Sequence, residues 1–345
     1  MATCGVYFAN VGQGTAQVIA LGAHKAILVD LGPKFGKKNF KGSQPFTILL
    51  RELGIKTIEL MVVSHLHEDH FGSYEDIFST FEVRQVYYYE SVVASDSEAN
   101  RFLNTLKQQK EREPAFVYQK LPVATTILYE NNNIKLDVLY PIDEQDRLQG
   151  EQKNDENASA MIVRLTVDEV SLLFTSDAPY SAYKSFTPLN VTVTSLPHHG
   201  GNFANNANEI ETFYSQKIKS QFAVCSFGTS NRYRHPQKQH LTIARQYCKD
   251  VFCTQLAGCC CPDSEARTAW RDKQKQLWNE FVEDSTLRSP YDPNTNAANV
   301  PCADTVGFEI IDGELIINNY EYLKRMREWG LTQNLPLVCA QPSLN

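Results

Sequence analysis

Four side chains that can bind a metal lie within six positions of the stretch SHLHEDHFGS: His65, His67, Asp69 and His70. The stretch directly follows a continuous apolar run, IELMVVS, which predicts a strand buried on both faces. Histidine and aspartate are common ligands of zinc, and four of them on one short loop suit two adjacent metals better than one. The alternative is a surface loop that happens to be rich in histidine. Because functional sites of α/β proteins lie at the ends of such strands, we favour a metal site.

Two more places in the sequence carry similar residues after apolar strands. His198 and His199 follow residues 190–196 and precede Gly200 and Gly201, where the backbone can approach a ligand closely. Asp177 ends the apolar run LLFTSD. An aspartate at a strand end is by itself often a turn former or a helix cap. Together with the two histidine clusters, Asp177 becomes a candidate for a carboxylate that bridges two metals.

The remaining pattern alternates strands with helices and predicts an α/β protein. Strands and hairpins are predicted in residues 6–31, 125–140, 160–175 and 306–317, and helices near 45–55, 71–81, 100–112, 239–248 and 264–283. The turn Gly12-Gln13-Gly14 lacks the lysine and hydroxyl residue of a phosphate-binding P-loop and is interpreted as a tight strand-to-strand turn. Neither a repeat nor a low-complexity linker interrupts the chain. We therefore expect a single domain over residues 1–345 with an insertion near 258–303.

The composition is that of a soluble globular protein. Of 345 residues, 42% are hydrophobic and 21% charged, and the net charge of −7 argues against broad electrostatic attraction to nucleic acid while leaving room for a local basic groove. We expect neither a secretory leader nor a membrane span, because the sequence has no basic segment followed by a long apolar run and no apolar run of about 20 residues. Nine unevenly spaced cysteines argue against a secreted disulfide scaffold and predict a cytoplasmic location. Five of them lie in or beside the predicted insertion: Cys253, Cys259, Cys260, Cys261 and Cys302. They could form a structural zinc site or be buried free thiols, and we favour free thiols.

Taken in order, SHLHEDH, LLFTSDA and LPHHGGN resemble the metallo-β-lactamase superfamily. The opening NVGQGTAQVI, the run AILVDLG and the downstream NRYRHP (231–236) are similar to the metallohydrolase domain of ComEC-type competence proteins and its free-standing relatives. Those relatives share a D-V-G-Q-G-D opening, H-H-G and N-R-Y-x-H-P. The resemblance covers residues 4–257 and resumes near 302–318. It is highly specific for the fold and less specific for the substrate.

The resemblance implies a four-layer αββα sandwich with a site for two divalent metal ions, Zn²⁺ or Mn²⁺. His65 and His67 would hold metal one, Asp69 and His70 metal two, and Asp177 would bridge them. One member of the pair His198 and His199 would complete metal two while the other faces the substrate, and the sequence leaves open which. Catalytic roles would fall to Asp69, His198, His199 and His235. Substrate contacts would come from Asn231, Arg232, His235 and Asn157.

The chain departs from the relatives in three places. Asn10 and Thr15 stand where relatives tend to have aspartate, and no histidine lies between His70 and His198 to give metal one a third imidazole. Asn157, in the segment NASAMIVRL, resembles an N-x-S element of the relatives and is a candidate for a weak or indirect ligand. Metal one is therefore expected to bind more loosely than metal two, and an oxygen-rich site would accept Mn²⁺ as well as Zn²⁺.

The function implied by these motifs is metal-dependent hydrolysis with water activated by two metals. We expect a phosphodiesterase, foremost a nuclease, whose partner is a nucleic acid or nucleotide. One alternative is a small-molecule hydrolase acting on a phosphoester, a cyclic nucleotide or a lactone. Another is a catalytic effector subunit that a partner protein switches, with the tryptophan-bearing helix 264–283 as its contact face. A protein partner or a homo-oligomer is compatible with the sequence, and no membrane association is expected.

Overall fold

Strands from both halves of the chain build two β-sheets. The computed structural model describes residues 3–34, 46–89, 97–120, 127–141, 143, 146, 155–261, 263–281 and 300–340. The first sheet receives β1 (Thr3–Phe8), β2 (Ala16–Gly22), β3 (Lys25–Leu31), β4 (Thr57–Val63), β5 (Glu82–Val83), β6 (Gln85–Tyr88) and β7 (Val117–Lys120). The second contains β8 (Ile127–Asn131), β9 (Ile134–Tyr140), β10 (Ile162–Val167), β11 (Val170–Phe174), β12 (Val193–Ser195), β13 (Phe222–Cys225) and β14 (Asp250–Cys253). The chain then returns to the first sheet with β15 (Val306–Ile311) and β16 (Glu314–Ile317).

Each sheet combines an antiparallel part with a parallel part. The first has the order β16-β15-β1-β2-β3-β4-β6-β7, with β5 beside β4, and the strands from β3 to β7 are parallel to one another. The second has the order β14-β13-β12-β11-β10-β9-β8, and β11 to β14 are parallel. Carboxyl ends of parallel strands meet at one edge of a sheet, where α/β proteins carry their sites. The loops after β3, β4, β11, β12 and β13 therefore gather on the same side of each sheet.

Helices cover the outer faces of the two sheets. The α-helices span Phe46–Glu52, Glu68–Phe71, Tyr74–Thr80, Ser97–Arg112, Ala207–Thr212, Lys238–Tyr247, Ser264–Phe281 and Tyr320–Thr332. Shorter 3₁₀ turns span Glu156–Ser159, Tyr180–Tyr183, Pro197–Gly200 and Val338–Ala340, and a π-helical turn spans Phe213–Ile218. Within the described residues, no helix has both the length and the apolar character needed to cross a membrane.

The side-chain alternation of β3 shows how the layers are formed. Ala26 and Leu28 pack with the helices of the N-terminal half, whereas Ile27 and Val29 point into the core between the two sheets. Successive side chains of a strand face opposite sides, so a strand covered on both faces must be apolar throughout. Helix, sheet, sheet and helix are thus stacked in four layers, which confirms the predicted αββα architecture.

The predicted insertion is described only in part. Residues 264–281 form a helix that packs on Tyr320–Thr332, with the rings of Trp270 and Trp329 6.1 Å apart. Trp270 is buried against its own chain, so it offers no surface to a partner protein. Residues 282–299, and the side chains of residues 278 and 281 on the same predicted helix face, lie outside the described residues.

The nine cysteines are all free thiols, and only Cys259 is partly exposed. No three of their sulfurs meet the mutual spacing of 4.8 Å that the histidine and aspartate clusters satisfy elsewhere in the described residues. The thiol of Cys339 is hydrogen-bonded to those of Cys253, Cys260 and Cys302, so four cysteines meet in one place, and the choice between buried thiols and a structural zinc site stays a prediction.

Candidate metal centre

The predicted site residues converge at the edge where the parallel strands end. His65 and His67 lie on the loop after β4, and the short helix Glu68–Phe71 that follows carries Asp69 and His70. Asp177 follows β11, and the pair of histidines at 198 and 199 follows β12. Residues more than a hundred positions apart in the chain are thereby brought into contact.

The first cluster consists of His65, His67 and Asp177, whose ligand atoms lie within 4.8 Å of one another. Nε2 of His65 is 3.1 Å from Nδ1 of His67, so the two rings present nitrogens to a common point. The other nitrogen of His65 faces the hydroxyls of Ser64 and Ser176, at 3.1 and 3.3 Å. Two imidazoles and a carboxylate form a ligand set that suits a transition metal.

The second cluster consists of Asp69, His70 and His199, again within 4.8 Å of one another. Nε2 of His199 is 3.3 Å from Oδ2 of Asp69 and 3.5 Å from Oδ1 of Asp177. The same Oδ1 of Asp177 is 3.3 Å from Nε2 of His70. Asp177 therefore belongs to the first cluster and also reaches both histidines of the second, the position predicted for a bridging carboxylate.

Hydrogen bonds on the far side of two rings fix which nitrogen faces the centre. Nδ1 of His70 donates to Oδ2 of Asp30 at 2.7 Å, and Nδ1 of His199 donates to the carbonyl of Ser226 at 2.9 Å. A ring that donates through Nδ1 has its lone pair on Nε2, which is the form that binds a metal. Asp30 also accepts from the backbone and side chain of Ser64, at 2.8 and 2.9 Å, which locks its carboxylate.

Sequence reasoning did not assign a role to Asp30 or Ser226. Asp30 ends the apolar strand β3, the same signal that marked Asp177, so its position could have indicated a role. Nothing in the sequence distinguishes the carbonyl of Ser226 from any other, since a backbone contact depends only on how β12 and β13 are paired.

Unpaired buried atoms support a fit to metal ions. Nε2 of His70, Oδ1 of Asp177 and Nε2 of His199 are buried and make no hydrogen bond, although they face one another at 3.3–3.5 Å. Buried polar atoms are almost always hydrogen-bonded, and exceptions call for a specific partner. Converging nitrogen and oxygen lone pairs are what a divalent cation requires, so these three atoms fit a metal ion at the second cluster.

Burial and mutual charge shift the acid–base behaviour of the cluster. Burial, followed by the charges of His70 and His67, holds the pKa of His65 well below its ordinary value, so its neutral, ligand form dominates. Burial alone would raise the pKa of Asp177, but His199 and His70 outweigh it and hold this pKa well below the ordinary value. Burial would lower the pKa of His70, yet Asp177 and Asp30 raise it well above the ordinary value. Metal ions must therefore compete with protons here, and binding should release them.

The structure places the two adjacent histidines differently. Both adopt left-handed backbone conformations, with φ of 51° at His198 and 54° at His199, which is costly outside glycine and typical of functional sites. His199 is buried and belongs to the second cluster. His198 keeps 25% of its side chain exposed, and its Nε2 is 3.7 Å from Oδ2 of Asp177. Of the two alternatives left open by the sequence, the geometry favours His199 as the ligand and His198 as the residue facing substrate.

The loop NRYRHP forms one rim of the site. His235 lies with its ring centre 5.2 Å from that of His198, and burial followed by the charges of the neighbouring histidines lowers its pKa to about 4. The Arg232 guanidinium is exposed, and its pKa is raised by Tyr233 and, less strongly, by the carboxylate of Asp69. The side-chain amide of Asn231 holds the loop itself, since it donates to the carbonyl of His235 at 2.6 Å and accepts from its N–H at 2.9 Å. Asn231 therefore shapes the rim.

Asn157 lies in the 3₁₀ turn Glu156–Ser159. The N–H of Met161, just beyond this turn, donates to the carbonyl of Ser64, next to His65. Oδ1 of Asn157 is buried without a hydrogen-bond partner. An indirect role beside the first cluster stays a prediction.

The Gly-Gln-Gly turn packs directly on the ligand loop. The N–H of Thr15 donates to the carbonyl of Asp69 at 3.1 Å, and a Cβ on Gly14 would lie 2.6 Å from that same carbonyl. Oγ1 of Thr15 is also 3.4 Å from Nδ1 of His199. Asn10, the other departure from the relatives, donates to Asp304 at 2.8 Å. Gly14 therefore permits the close approach of this turn to the backbone of Asp69 as well as the turn itself.

Asp30→Asn tests the positioning of His70. The amide keeps the size of the side chain but loses the charge that fixes the histidine tautomer, so affinity for Zn²⁺ or Mn²⁺ should fall about 10- to 100-fold. Titration against a chromophoric chelator measures this affinity. Asp137→Asn is a matched control, because Asp137 is also a buried carboxylate and pairs with Arg164 on the second sheet. Equal affinities in the two variants would contradict the assignment.

Comparison with known proteins agrees with this architecture. A family model described as "Metallo-beta-lactamase superfamily" matches residues 9–213. ComE operon protein 3 of Bacillus subtilis is 20% identical over 264 residues, which are 72% of this chain but 31% of that protein, so the chain spans about a third of this relative.

Among solved structures, a diphosphatase from the PhnP family is 14% identical with a TM-score of 0.37, covering 64% of this chain and 85% of its own. Igni18, a metallo hydrolase of Ignicoccus hospitalis, is 12% identical with a TM-score of 0.34, and the match covers 64% of this chain and 81% of Igni18. The family model matches more than half of the chain, and its region includes both histidine–aspartate clusters. The chain therefore belongs to the metallo-β-lactamase superfamily, and its two clusters support a metal-dependent hydrolase.

Proposed function

We propose that this protein hydrolyses phosphodiester bonds and that its substrate is a single-stranded nucleic acid or a nucleotide. The observation that carries this proposal is the pair of clusters linked by Asp177 beside the exposed guanidinium of Arg232. Paired divalent ions and a cationic side chain together match the charge of a phosphodiester in displacement.

The proposed holding residues are His65, His67 and Asp177 for one ion and Asp69, His70 and His199 for the other. When bound, the ions would supply a water of lowered pKa and would neutralise charge that develops on the phosphate. The mixed nitrogen and oxygen ligands are compatible with Zn²⁺ and Mn²⁺.

The protein's own side chains would orient the substrate and move protons. The Asp69 side chain is 20% exposed, which leaves it able to orient the attacking water and accept its proton. His198 opens toward solvent beside Asp177, and we assign it the delivery of a proton to the leaving oxygen. Arg232 would hold a phosphate oxygen, because a guanidinium offers paired donors to such a group.

Charge favours a short or single-stranded substrate over a long duplex. Duplex binding relies on many cationic contacts, each of which releases counterions. The chain has a net charge of −7, and the rim loop NRYRHP contributes two exposed arginines, Arg232 and Arg234. A few phosphates near the metals require fewer such contacts.

Metal dependence is the direct test of this proposal. Protein stripped with a chelator should be inactive, and Mn²⁺ or Zn²⁺ should restore cleavage of an end-labelled single-stranded oligonucleotide and of bis-p-nitrophenyl phosphate. Gel separation and absorbance measure the two reactions, and Mg²⁺ or Ca²⁺ alone tests the metal preference.

Each outcome has a distinct meaning. Hydrolysis of the small diester with no cleavage of any polynucleotide would favour the small-molecule hydrolase. Activity that emerges only when another protein is added would favour the effector subunit. Inactivity of the metal-loaded protein on all phosphodiesters would contradict the proposal.

A further inference from the structure

Three rings rise from the second cluster to the surface in a nearly parallel series, here called the ring ladder: His199, His235 and Tyr233. The first two rings are 6.4 Å apart at 20°, and the next two are 5.7 Å apart at 17°. The guanidinium of Arg232 lies over the ring of Tyr233, 4.7 Å from its centre, and donates a hydrogen bond to its hydroxyl. One end of the ladder is thus at the metal centre and the other ends in an aromatic ring with an adjacent cation.

The inner part of the ladder is rigid. Asn231 grips both backbone groups of His235, at 2.6 and 2.9 Å. The ring of His235 also occupies the space where a Cβ on Gly201 would sit, only 2.2 Å from that position. The loop therefore holds this ring against the backbone that follows the ligand His199, and the distance from the metal centre to Tyr233 is set by packing.

The outer end is open. Tyr233 is 49% exposed, the largest exposed fraction among the large hydrophobic side chains of the described residues. Its ring contacts the ring of His235 and the guanidinium of Arg232. The cation–π contact with Arg232 is at the surface, so breaking it costs little free energy. An exposed aromatic ring beside a guanidinium offers a stacking surface for a planar base and a cation for the phosphate attached to it.

We propose that Tyr233 stacks against the nucleobase next to the scissile phosphodiester and thereby selects nucleotide substrates over diesters that lack a base. This inference rests on the proposed phosphodiesterase function and deepens it by naming the substrate class. Arg232 exchanges its place over the ring for a phosphate oxygen when the base binds. Tyr233 is a specificity residue in this scheme and takes no part in proton transfer.

Two diesters with the same leaving group test the proposal in the metal-loaded enzyme: thymidine 5′-(p-nitrophenyl phosphate) and methyl p-nitrophenyl phosphate. Tyr233→Ala should lower kcat/KM for the thymidine ester on the order of 10-fold, mainly through KM, because a base–aromatic stack contributes about that factor. The methyl ester should be hydrolysed at an unchanged rate. Tyr233→Phe keeps the ring and should retain both activities.

A binding measurement gives a readout independent of turnover. Fluorescence anisotropy in a chelating buffer would compare a labelled oligothymidylate with an abasic strand of the same length and charge. Tyr233→Ala should weaken binding of the first on the order of 10-fold and leave the second unchanged. Tyr320→Ala is the matched control, since Tyr320 is also exposed but contacts Asp250 at the amino end of β14, the opposite edge of the sheet.

The outcomes separate this inference from the function on which it rests. Equal losses on both esters and both strands, or no loss on any, would overturn the stacking role while hydrolysis of the methyl ester upholds the phosphodiesterase. No hydrolysis of either ester by the wild-type enzyme would count against the phosphodiesterase, and the binding comparison would still decide whether Tyr233 recognises a base.

Discussion

Asp177→Asn is expected to abolish activity while leaving the fold intact. Oδ1 of Asp177 faces His70 and His199 at 3.3 and 3.5 Å, and the same carboxylate groups with His65 and His67. The amide keeps the shape but loses the charge that both clusters share. Phosphodiester hydrolysis should fall on the order of 10³-fold or more, because an electrostatic contribution at the reacting centre is lost.

Metal-dependent stability gives a second readout for the same change. A ligand that binds only the folded state at 100 times its dissociation constant stabilises it by about 2.7 kcal/mol. Wild-type protein should therefore melt at a higher temperature when Mn²⁺ or Zn²⁺ is added, and Asp177→Asn should lose most of this increase. Glu169→Gln is the control, because Glu169 is an exposed carboxylate at the other end of β11. An Asp177→Asn protein with normal metal stabilisation and turnover would rule out the bridging role.

Replacing His199 and His198 one at a time should give different kinds of loss. His199 lies in the second cluster with its Nδ1 bonded to the Ser226 carbonyl. His199→Ala should therefore bind one fewer metal ion per chain, with activity reduced on the order of 10²-fold or more. His198→Ala should keep its full metal content and lose about 10²-fold in kcat, as expected when a proton donor is removed.

Elemental analysis after dialysis measures the metal content, and steady-state kinetics measure kcat and KM. His198→Gln is a useful companion, because it retains a polar side chain that cannot deliver a proton at neutral pH. If His198→Ala loses a metal ion and His199→Ala does not, the assignment of the two histidines is reversed.

The fold was predictable because its signals are local. The pattern of apolar side chains within each segment predicts the strand at residues 58–64 and the hairpin at 306–317. The predicted helix at 71–81 illustrates the uncertainty of boundaries, since the structure has one short helix at Glu68–Phe71 and another at Tyr74–Thr80. Helix ends depend on tertiary contacts that a local pattern does not contain.

The expected imbalance between the two metals depended on a missing histidine. No third imidazole lies between His70 and His198, yet the structure gives three ligand residues to each cluster because Asp177 groups with His65 and His67. Asp177 also reaches His70 and His199, so as a bridging carboxylate it would give the second ion four ligand residues and the first ion three. The looser binding expected for metal one therefore stays a prediction.

The sequence alone determined the fold family, the α/β class and the residue types of a metal centre, because ligand spacing and strand ends are properties of short segments. Tertiary structure decided which atoms meet: that Asp30 orients His70, that His199 and not His198 joins Asp69, and that Asn231 holds its own loop. It also aligned Tyr233 with the metal centre through His235. The contacts of Asp30 with His70 and of His199 with Asp69 join segments far apart in the chain, and they follow from sheet pairing and side-chain packing, which no local pattern specifies. The contacts within the NRYRHP loop are local, but they depend on the backbone conformation that the loop adopts in the folded protein.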